Sequence, residues 1–200
     1  LEEACRHYSQ MGVAGWKVDF IDRQDQPAVE RVYRIADAAA RHRMVIDFHG
    51  IYKPTGLQRT YPNVINFEGV FGLEQLKWTD KTDADMPAYD CTFPFIRQAA
   101  GPVDYTQGAM RNASRANFRA VRKQPMSQGT RAHQVAAYVV FDSPLAMLCD
   151  SPTAYERESE TLDYIVRIPT RFDQTRIPAG EIGRYIVTVR RAGDRWYLGA

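Results

Sequence analysis

The sequence predicts an α/β fold, a partial (β/α)8 barrel that gives way near its C-terminus to an all-β segment. Three observations predict it. Short apolar runs alternate with stretches of helical periodicity from residue 1 to about residue 150. Several of those runs end in a polar group, namely Asp19, His49, Glu68, Asp104 and Asp150, and barrels assemble their sites at that end of the strands. Beyond residue 182 the pattern becomes β-branched and alternating, interrupted by a turn.

Each element has its own justification. Residues 1–12 read as a helix closed by Gly12. Gly15-Trp16-Lys17-Val18-Asp19-Phe20 is a short strand ending in an acid. Residues 27–43 are strongly helical, with Pro27 at the start and Val29, Val32, Tyr33, Ile35 and Ala36 on one face. Met44-Val45-Ile46-Asp47-Phe48-His49-Gly50 and Asn63-Val64-Ile65-Asn66-Phe67-Glu68-Gly69 are the second and third strands. Residues 93–100 predict a helix and Gly101-Pro102-Val103-Asp104-Tyr105-Thr106 a fourth strand. After a polar loop, residues 130–141 predict a helix leading to a fifth strand at 144–150. Residues 182–189 and 196–199 predict a hairpin around a turn at 190–195, so the all-β part begins between 165 and 175. A doubly wound sheet also gathers ligands at strand C-termini. Its nucleotide-binding forms need a glycine-rich loop, and neither GxGxxG nor GxxxxGK[ST] occurs, which favours the barrel.

Composition excludes several function classes. Lys and Arg number 26 against 24 Asp and Glu, for a net charge of +2, and no basic block forms a nucleic-acid footprint. The longest apolar run, 135–141, falls far short of the roughly 20 residues that span a bilayer, so no membrane partner is expected. Cys5, Cys91 and Cys149 make no CxxC pair and no Cys/His cluster, which argues against structural zinc; they read as small buried apolar residues. The chain starts at Leu1 without an initiator Met or signal peptide and reads as a piece of something longer.

The chemistry lies in the strand-end acids. Cleaving a glycosidic bond takes two carboxyl groups, one to protonate the leaving oxygen and one to attack the anomeric carbon or activate a water. Asp19 and Glu74 are spaced to reach one face from non-adjacent strands. An acid at a strand end is equally an N-cap for the next helix, and Glu74 is a lone Glu in a loop. His49 suits either a sugar hydroxyl or a hydrogen-bonded barrel interior. Glu68 suits a hard cation, or a salt bridge to Arg59. Asp22, Arg23 and Asp25 read most simply as a solvated loop.

Taken together, these segments resemble glycoside hydrolase family 97, the calcium-dependent α-glucosidase and α-galactosidase family. The matching stretches are 15–20 with Asp22-Arg23, 44–50, Lys53-Pro54-Thr55-Gly56, Arg59-Thr60-Tyr61-Pro62-Asn63, and Asn66-Phe67-Glu68-Gly69 with Glu74. Asp90-Cys91-Thr92 with Pro94-Phe95, Gly101 to Thr106, and the tail at 183–185 and 190–199 also fit. The resemblance implies a barrel entered just before its fourth strand and followed to the eighth over residues 1–165, with a C-terminal antiparallel β domain opening at 166–200. Inverting members have a Glu base directly after the His of the second strand quoted above; this chain has Gly50 there. Retaining members instead have the Asp that matches Asp19. The resemblance therefore implies a retaining exo-acting glycosidase, more an α-galactosidase than an α-glucosidase. Asp19 would be its nucleophile, Glu74 its acid/base, and Lys17 and His49 its substrate-binding positions. Glu68, with Glu74 beside it, would ligate calcium. The remaining ligands would come from an N-terminal domain that this chain lacks, and the parent would act on oligosaccharides or α-glycosides, in the periplasm or secreted. An inverting α-glucosidase and a non-catalytic carbohydrate-binding relic are the alternatives.

Overall fold

The computed structural model describes residues 1–78 and 84–200. It opens with helix α1 (Glu2–Gln10), strand β1 (Gly15–Val18) and helix α2 (Gln26–Arg41). Asp25 caps α2 by accepting the Ala28 amide at 3.3 Å, with Pro27 in the first turn, where a missing N–H costs nothing. Strand β2 (Val45–Phe48), helix α3 (Leu57–Thr60) and strand β3 (Val64–Phe67) follow. The three strands form a parallel sheet in the order β1-β2-β3, with Lys17 paired to Asp47 and Asp47 to Asn66. Ala28, Val32, Ala36 and Ala39 of α2 pack on Met44, Ile46, Phe48, Val64 and Phe67. Burying each large apolar side chain of this kind stabilises the fold by about 1.5–3 kcal/mol. Parallel strands linked by crossovers end on the same edge. Asp19, His49 and Glu68, each the residue after its strand, therefore emerge together.

A second core gathers Leu73, Leu76, Phe93, Val103, Tyr105, Phe141 and Ile186. Around it lie a 3₁₀ turn (Leu73–Lys77) and helices α4 (Met86–Asp90) and α5 (Phe93–Ile96). Strands β4 (Arg111–Ala113) and β5 (Met126–Gln128) pair in parallel, and helix α6 (Arg131–Val140) is capped by Thr130, which accepts the His133 amide at 3.1 Å. Helices α7 (Pro152–Arg157) and α8 (Ser159–Ile165) precede an antiparallel sheet of β6 (Gln174–Glu181), β7 (Tyr185–Ala192) and β8 (Arg195–Gly199). This sheet seats on α6. Arg190 donates to Asp142 at 3.0 Å and to the Val140 carbonyl at 3.3 Å, and a Cβ on Gly199 would stand 2.8 Å from the Ala136 carbonyl. The fold is thus mixed α/β with a C-terminal all-β sheet. Among the described residues no helix is long and apolar enough to cross a membrane.

Two predicted strands are not strands. Residues 101–106 make single bonds on either side, Asp104 N to Phe67 O and Val103 N to Asp142 O, each 2.8 Å, without a ladder. Gly101 (φ 132°) and Thr106 (φ 61°) turn the backbone out of the extended region at both ends. Residues 144–150 also lack a strand partner among the described residues; Cys149 N reaches Gln107 O at 3.3 Å and Asp150 takes the Met110 amide at 3.2 Å. The predicted hairpin turn at 190–195 tightens to Gly193-Asp194, because the strand predicted at 182–189 lies at Tyr185–Ala192 and its partner starts at Arg195.

Candidate active site

The C-terminal edge of the parallel sheet carries a connected set of polar side chains. His49 sits at its centre, with Nδ1 2.7 Å from Asp104 Oδ2, and Nε2 2.5 Å from Glu74 Oε1 and 3.4 Å from Glu68 Oε1. Lys17 Nζ lies 2.6 Å from that same Asp104 Oδ2. Glu68 is fixed from its other oxygen, which accepts the Gly50 amide at 2.7 Å; this bond and the contact with His49, rather than a pairing with Arg59, account for its position. Glu74 arrives on the 3₁₀ turn. Leu73 and Leu76 bury themselves, Leu73 N donates to Tyr105 O at 3.0 Å, and Glu74 is left facing His49.

The charges in this set depend on one another. Burial disfavours charge on His49, but its bonds to Asp104 and Glu74, and the Glu68 carboxylate nearby, outweigh that and push its pKa up to about 10. The bond from His49 holds Glu74 below the usual carboxylate range. Burial raises Glu68. Burial would also raise Asp104, but the bonds from His49 and Lys17 prevail and lower it. Beneath them, Asp47 is 1% exposed and is pushed up to about 8, first by burial and then by the Asp104 carboxylate.

Asp19 joins the set through Gly50. A Cβ on Gly50 would stand 2.6 Å from Asp19 Oδ1, 2.9 Å from the Phe20 amide and 3.1 Å from Asp22 Oδ1, and its φ of 51° already favours glycine. The backbone just past Asp19 is unusual as well: Phe20 (φ 60°) and Asp22 (φ 45°) are both left-handed, and Phe20 is 82% exposed. Non-glycine residues held this way cluster at functional sites. A cleft of about 450 Å³ runs beside them, lined by Asp22, Arg23, Gly50, Tyr52, Glu68 and Phe71. The charge cluster read as a solvated loop is thus divided. Asp25 caps α2 and pairs with Arg23, while Asp22 and Arg23 wall the cleft.

Four of the five residues singled out in the sequence, Lys17, His49, Glu68 and Glu74, fall into one hydrogen-bonded cluster, and Asp19 abuts it at Gly50. Both ring nitrogens of His49 are engaged by carboxylates, which the reading of it as a sugar donor did not anticipate. Asp104, named among the strand-end polar groups but given no role there, joins the cluster, and Asp47 was missed altogether. The available signal was an acid inside an otherwise apolar run. The ligand atoms of His49, Glu68 and Glu74 all lie within 4.8 Å of one another, a spacing that could hold a cation.

Comparison with known proteins places the chain. The family model described as "Glycoside hydrolase 97" matches residues 1–70, and that described as "Glycosyl-hydrolase 97 C-terminal, oligomerisation" matches residues 171–200. A retaining alpha-galactosidase of Bacteroides thetaiotaomicron is 55% identical over 199 residues, all of this chain but 30% of that protein. Among solved structures, a beta-arabinopyranosidase superposes with a TM-score of 0.83 at 28% identity, covering 98% of this chain and 31% of that one. A Glycoside Hydrolase Family 97 enzyme from Pseudoalteromonas sp. strain K8, in complex with acarbose, gives 0.80 at 28% identity, covering 98% and 33%. The chain thus spans about a third of the length of these relatives. With family models matched in order at both ends, the first of them taking in Lys17, His49 and Glu68, the chain belongs to glycoside hydrolase family 97.

Proposed function

We propose that this chain is part of the catalytic unit of a retaining exo-acting α-glycosidase, an α-galactosidase rather than an α-glucosidase. Asp19 is its nucleophile and Glu74 its acid/base. Residues 1–165 are the later strands of a (β/α)8 barrel, and 166–200 open the C-terminal β domain. The observation that carries this reading is the contact at Gly50. The Asp19 carboxylate stands where any side chain at position 50 would begin. A carboxylate at 50 holding a water and a carboxylate at 19 attacking carbon are therefore alternatives, and this chain has the second. The 55% identity to a retaining alpha-galactosidase supports the same branch. Relatives solved with acarbose and panose support an oligosaccharide or α-glycoside as substrate.

The chemistry follows from the residues. Asp19 attacks the anomeric carbon and forms a β-linked glycosyl-enzyme, while Glu74 protonates the departing oxygen. The proton for that step is held between Glu74 Oε1 and His49 Nε2, 2.5 Å apart. Water, deprotonated by Glu74, then releases the α-sugar. Calcium takes six to eight oxygen ligands. Glu68 and Glu74 supply carboxylate oxygens of the right kind, but the imidazole of His49 is no hard-cation ligand, so these residues fit as part of a calcium set that other segments complete. Bound there, calcium would supply positive charge beside the leaving group. We place the intact enzyme in the periplasm or outside the cell.

The test uses the intact enzyme. The wild type should cleave nitrophenyl α-galactoside faster than the α-glucoside, and NMR should show the α-sugar as first product. Asp19→Gly should lose nearly all activity and, with azide, yield the β-glycosyl azide. Glu74→Ala should yield the α-azide instead. A β-sugar as the first wild-type product, or near-parental activity in Asp19→Gly without azide, sinks the assignment.

A further inference from the structure

The gap between His49 Nε2 and Glu74 Oε1, 2.5 Å, is closed by a short ring of bonds. On one side His49 Nδ1 is held by Asp104 Oδ2 at 2.7 Å. On the other, Leu73, the residue before Glu74, donates its amide to the Tyr105 carbonyl at 3.0 Å. Asp104 and Tyr105 are consecutive, so a single dipeptide spans the gap and sets its width. The turn lies close against it: a Cβ on Gly72 would stand 3.1 Å from the Tyr105 carbonyl oxygen. A strand is fixed along its own axis by the ladder it shares with its neighbours. Residues 101–106 share no ladder. Arg97 holds the carbonyls of Gly101 and Pro102 at their start, and beyond these the backbone makes single bonds at Val103, Asp104 and Tyr105. The end that reaches the site needs an anchor of its own.

We infer that Tyr105 is a positioning residue whose phenol, anchored on Asp90 in the second core, fixes the placement of Glu74 against His49. Tyr105 is 1% exposed, and its hydroxyl donates to Asp90 Oδ1 at 2.5 Å. Its ring stacks on Phe93, with centroids 5.2 Å and planes 10° apart, and meets Phe141 edge to face at 4.8 Å. These rings keep water from the bond, and a hydrogen bond shielded from water is stronger and costlier to break. Asp90 is fixed in turn. It ends α4, is 4% exposed, and its other oxygen lies 2.9 Å from His133 Nε2 on α6. The carboxylate cannot swing away from Tyr105 without breaking that second contact. Tyr105 lies too deep to reach a substrate. It acts through its own carbonyl, which holds the turn bearing Glu74, and through Asp104 beside it, which holds His49.

This inference rests on the proposed function for its kinetic consequences and not for its exchange readout. In the intact enzyme, Tyr105→Phe keeps the ring and removes the bond. Its kcat/KM, which reports formation of the glycosyl-enzyme, should fall on the order of 100-fold for a methyl α-glycoside, whose leaving group needs the proton from Glu74. For a dinitrophenyl α-glycoside, whose leaving group departs without a proton, it should change by less than about threefold. A merely structural residue would lower both alike, in step with the folded fraction. Asp90→Ala should reproduce the split. Asp90→Asn, whose carbonyl still accepts from the phenol, should restore most of the loss. In hydrogen–deuterium exchange the Leu73 amide of Tyr105→Phe should exchange about tenfold faster than in the wild type, with the amides inside β2 unchanged. An equal loss on both glycosides, an Asp90→Asn enzyme as impaired as Asp90→Ala, or a Leu73 amide no faster than in the wild type overturns the inference. Should the wild type cleave no α-glycoside, the proposed function fails, and the exchange result still decides this one.

Discussion

At the scale of single residues, position 50 governs what position 19 can do. Gly50→Ala puts a methyl group 2.6 Å from Asp19 Oδ1, and the backbone at φ 51° resists it. The strain should cost about 1–2 kcal/mol of stability. Displacing the Asp19 carboxylate, our proposed nucleophile, by a fraction of an ångström should lower kcat by about 100-fold, with the glycosyl-enzyme step slowed most in burst kinetics. A Gly50→Ala enzyme with parental kcat would disprove the coupling. Asp47 makes a second prediction, through pH. Its folded pKa of about 8 lies above the ordinary 3.8. Below that ordinary value it is neutral folded or unfolded. As pH rises, the unfolded chain ionises first, so the fold loses stability across the window up to about 8. Asp47→Asn does not titrate. Its stability relative to wild type should therefore climb between about pH 4 and pH 8 and stay level outside that range, as read from paired urea titrations. The groups facing Asp47, namely Lys17, His49 and Asp104, remain in both proteins. Of these site residues, Asp19, His49 and Glu68 were legible because each follows an apolar run directly. Asp47 was not, because an acid inside such a run looks the same whether it is charged, neutral or paired.

Among elements, those with a strong period and a clear stop were legible. Helix α2 carries an apolar face and Pro27, and Asp25 caps it by accepting the Ala28 amide. Asp25→Ala should destabilise the protein by about 1 kcal/mol in chemical denaturation without changing KM; a matching loss of affinity would mean that the cap also shapes the cleft. In the segment 101–106, predicted as a strand, Val103 and Tyr105 alternate with Asp104 and Thr106. They do point into the core, 0% and 1% exposed. The alternation reported burial correctly and pairing wrongly, since burial requires only an extended chain while a ladder requires a neighbour in register. Strands β4 and β5 were hidden for the opposite reason: Arg111-Asn112-Ala113 and Met126-Ser127-Gln128 pair through their backbones and show no apolar alternation. Helices α7 and α8 are each too short to show a period.

For the molecule as a whole, the parallel sheet has three strands in its ladder among the described residues, and β1 and β3 lie at its edges. Exposed edges invite pairing with other chains. The 200-residue chain on its own should therefore be inactive on α-glycosides and associate in solution, and calorimetry should find no tight stoichiometric calcium binding; parental turnover by a monomer would contradict this. On the β3 side Arg97 ties the sheet to the rest of the molecule, beside the bonds of Asn66 and of the Phe67 carbonyl. It is 7% exposed, and burial pulls its guanidinium down to about 10. It donates to the carbonyls of Phe67, Glu68 and Gly69 at the end of β3, and to those of Gly101 and Pro102 across the gap. Lys carries no such planar fork, so Arg97→Lys should cost on the order of 3 kcal/mol. Neither group of carbonyls can be released alone without stranding the cation beside the other. The two segments, far apart in sequence, must then open in one event. In hydrogen–deuterium exchange the amides of Glu68 and Asp104, which bond to Phe48 and Phe67, should exchange at one common rate, and in Arg97→Lys the two rates should part.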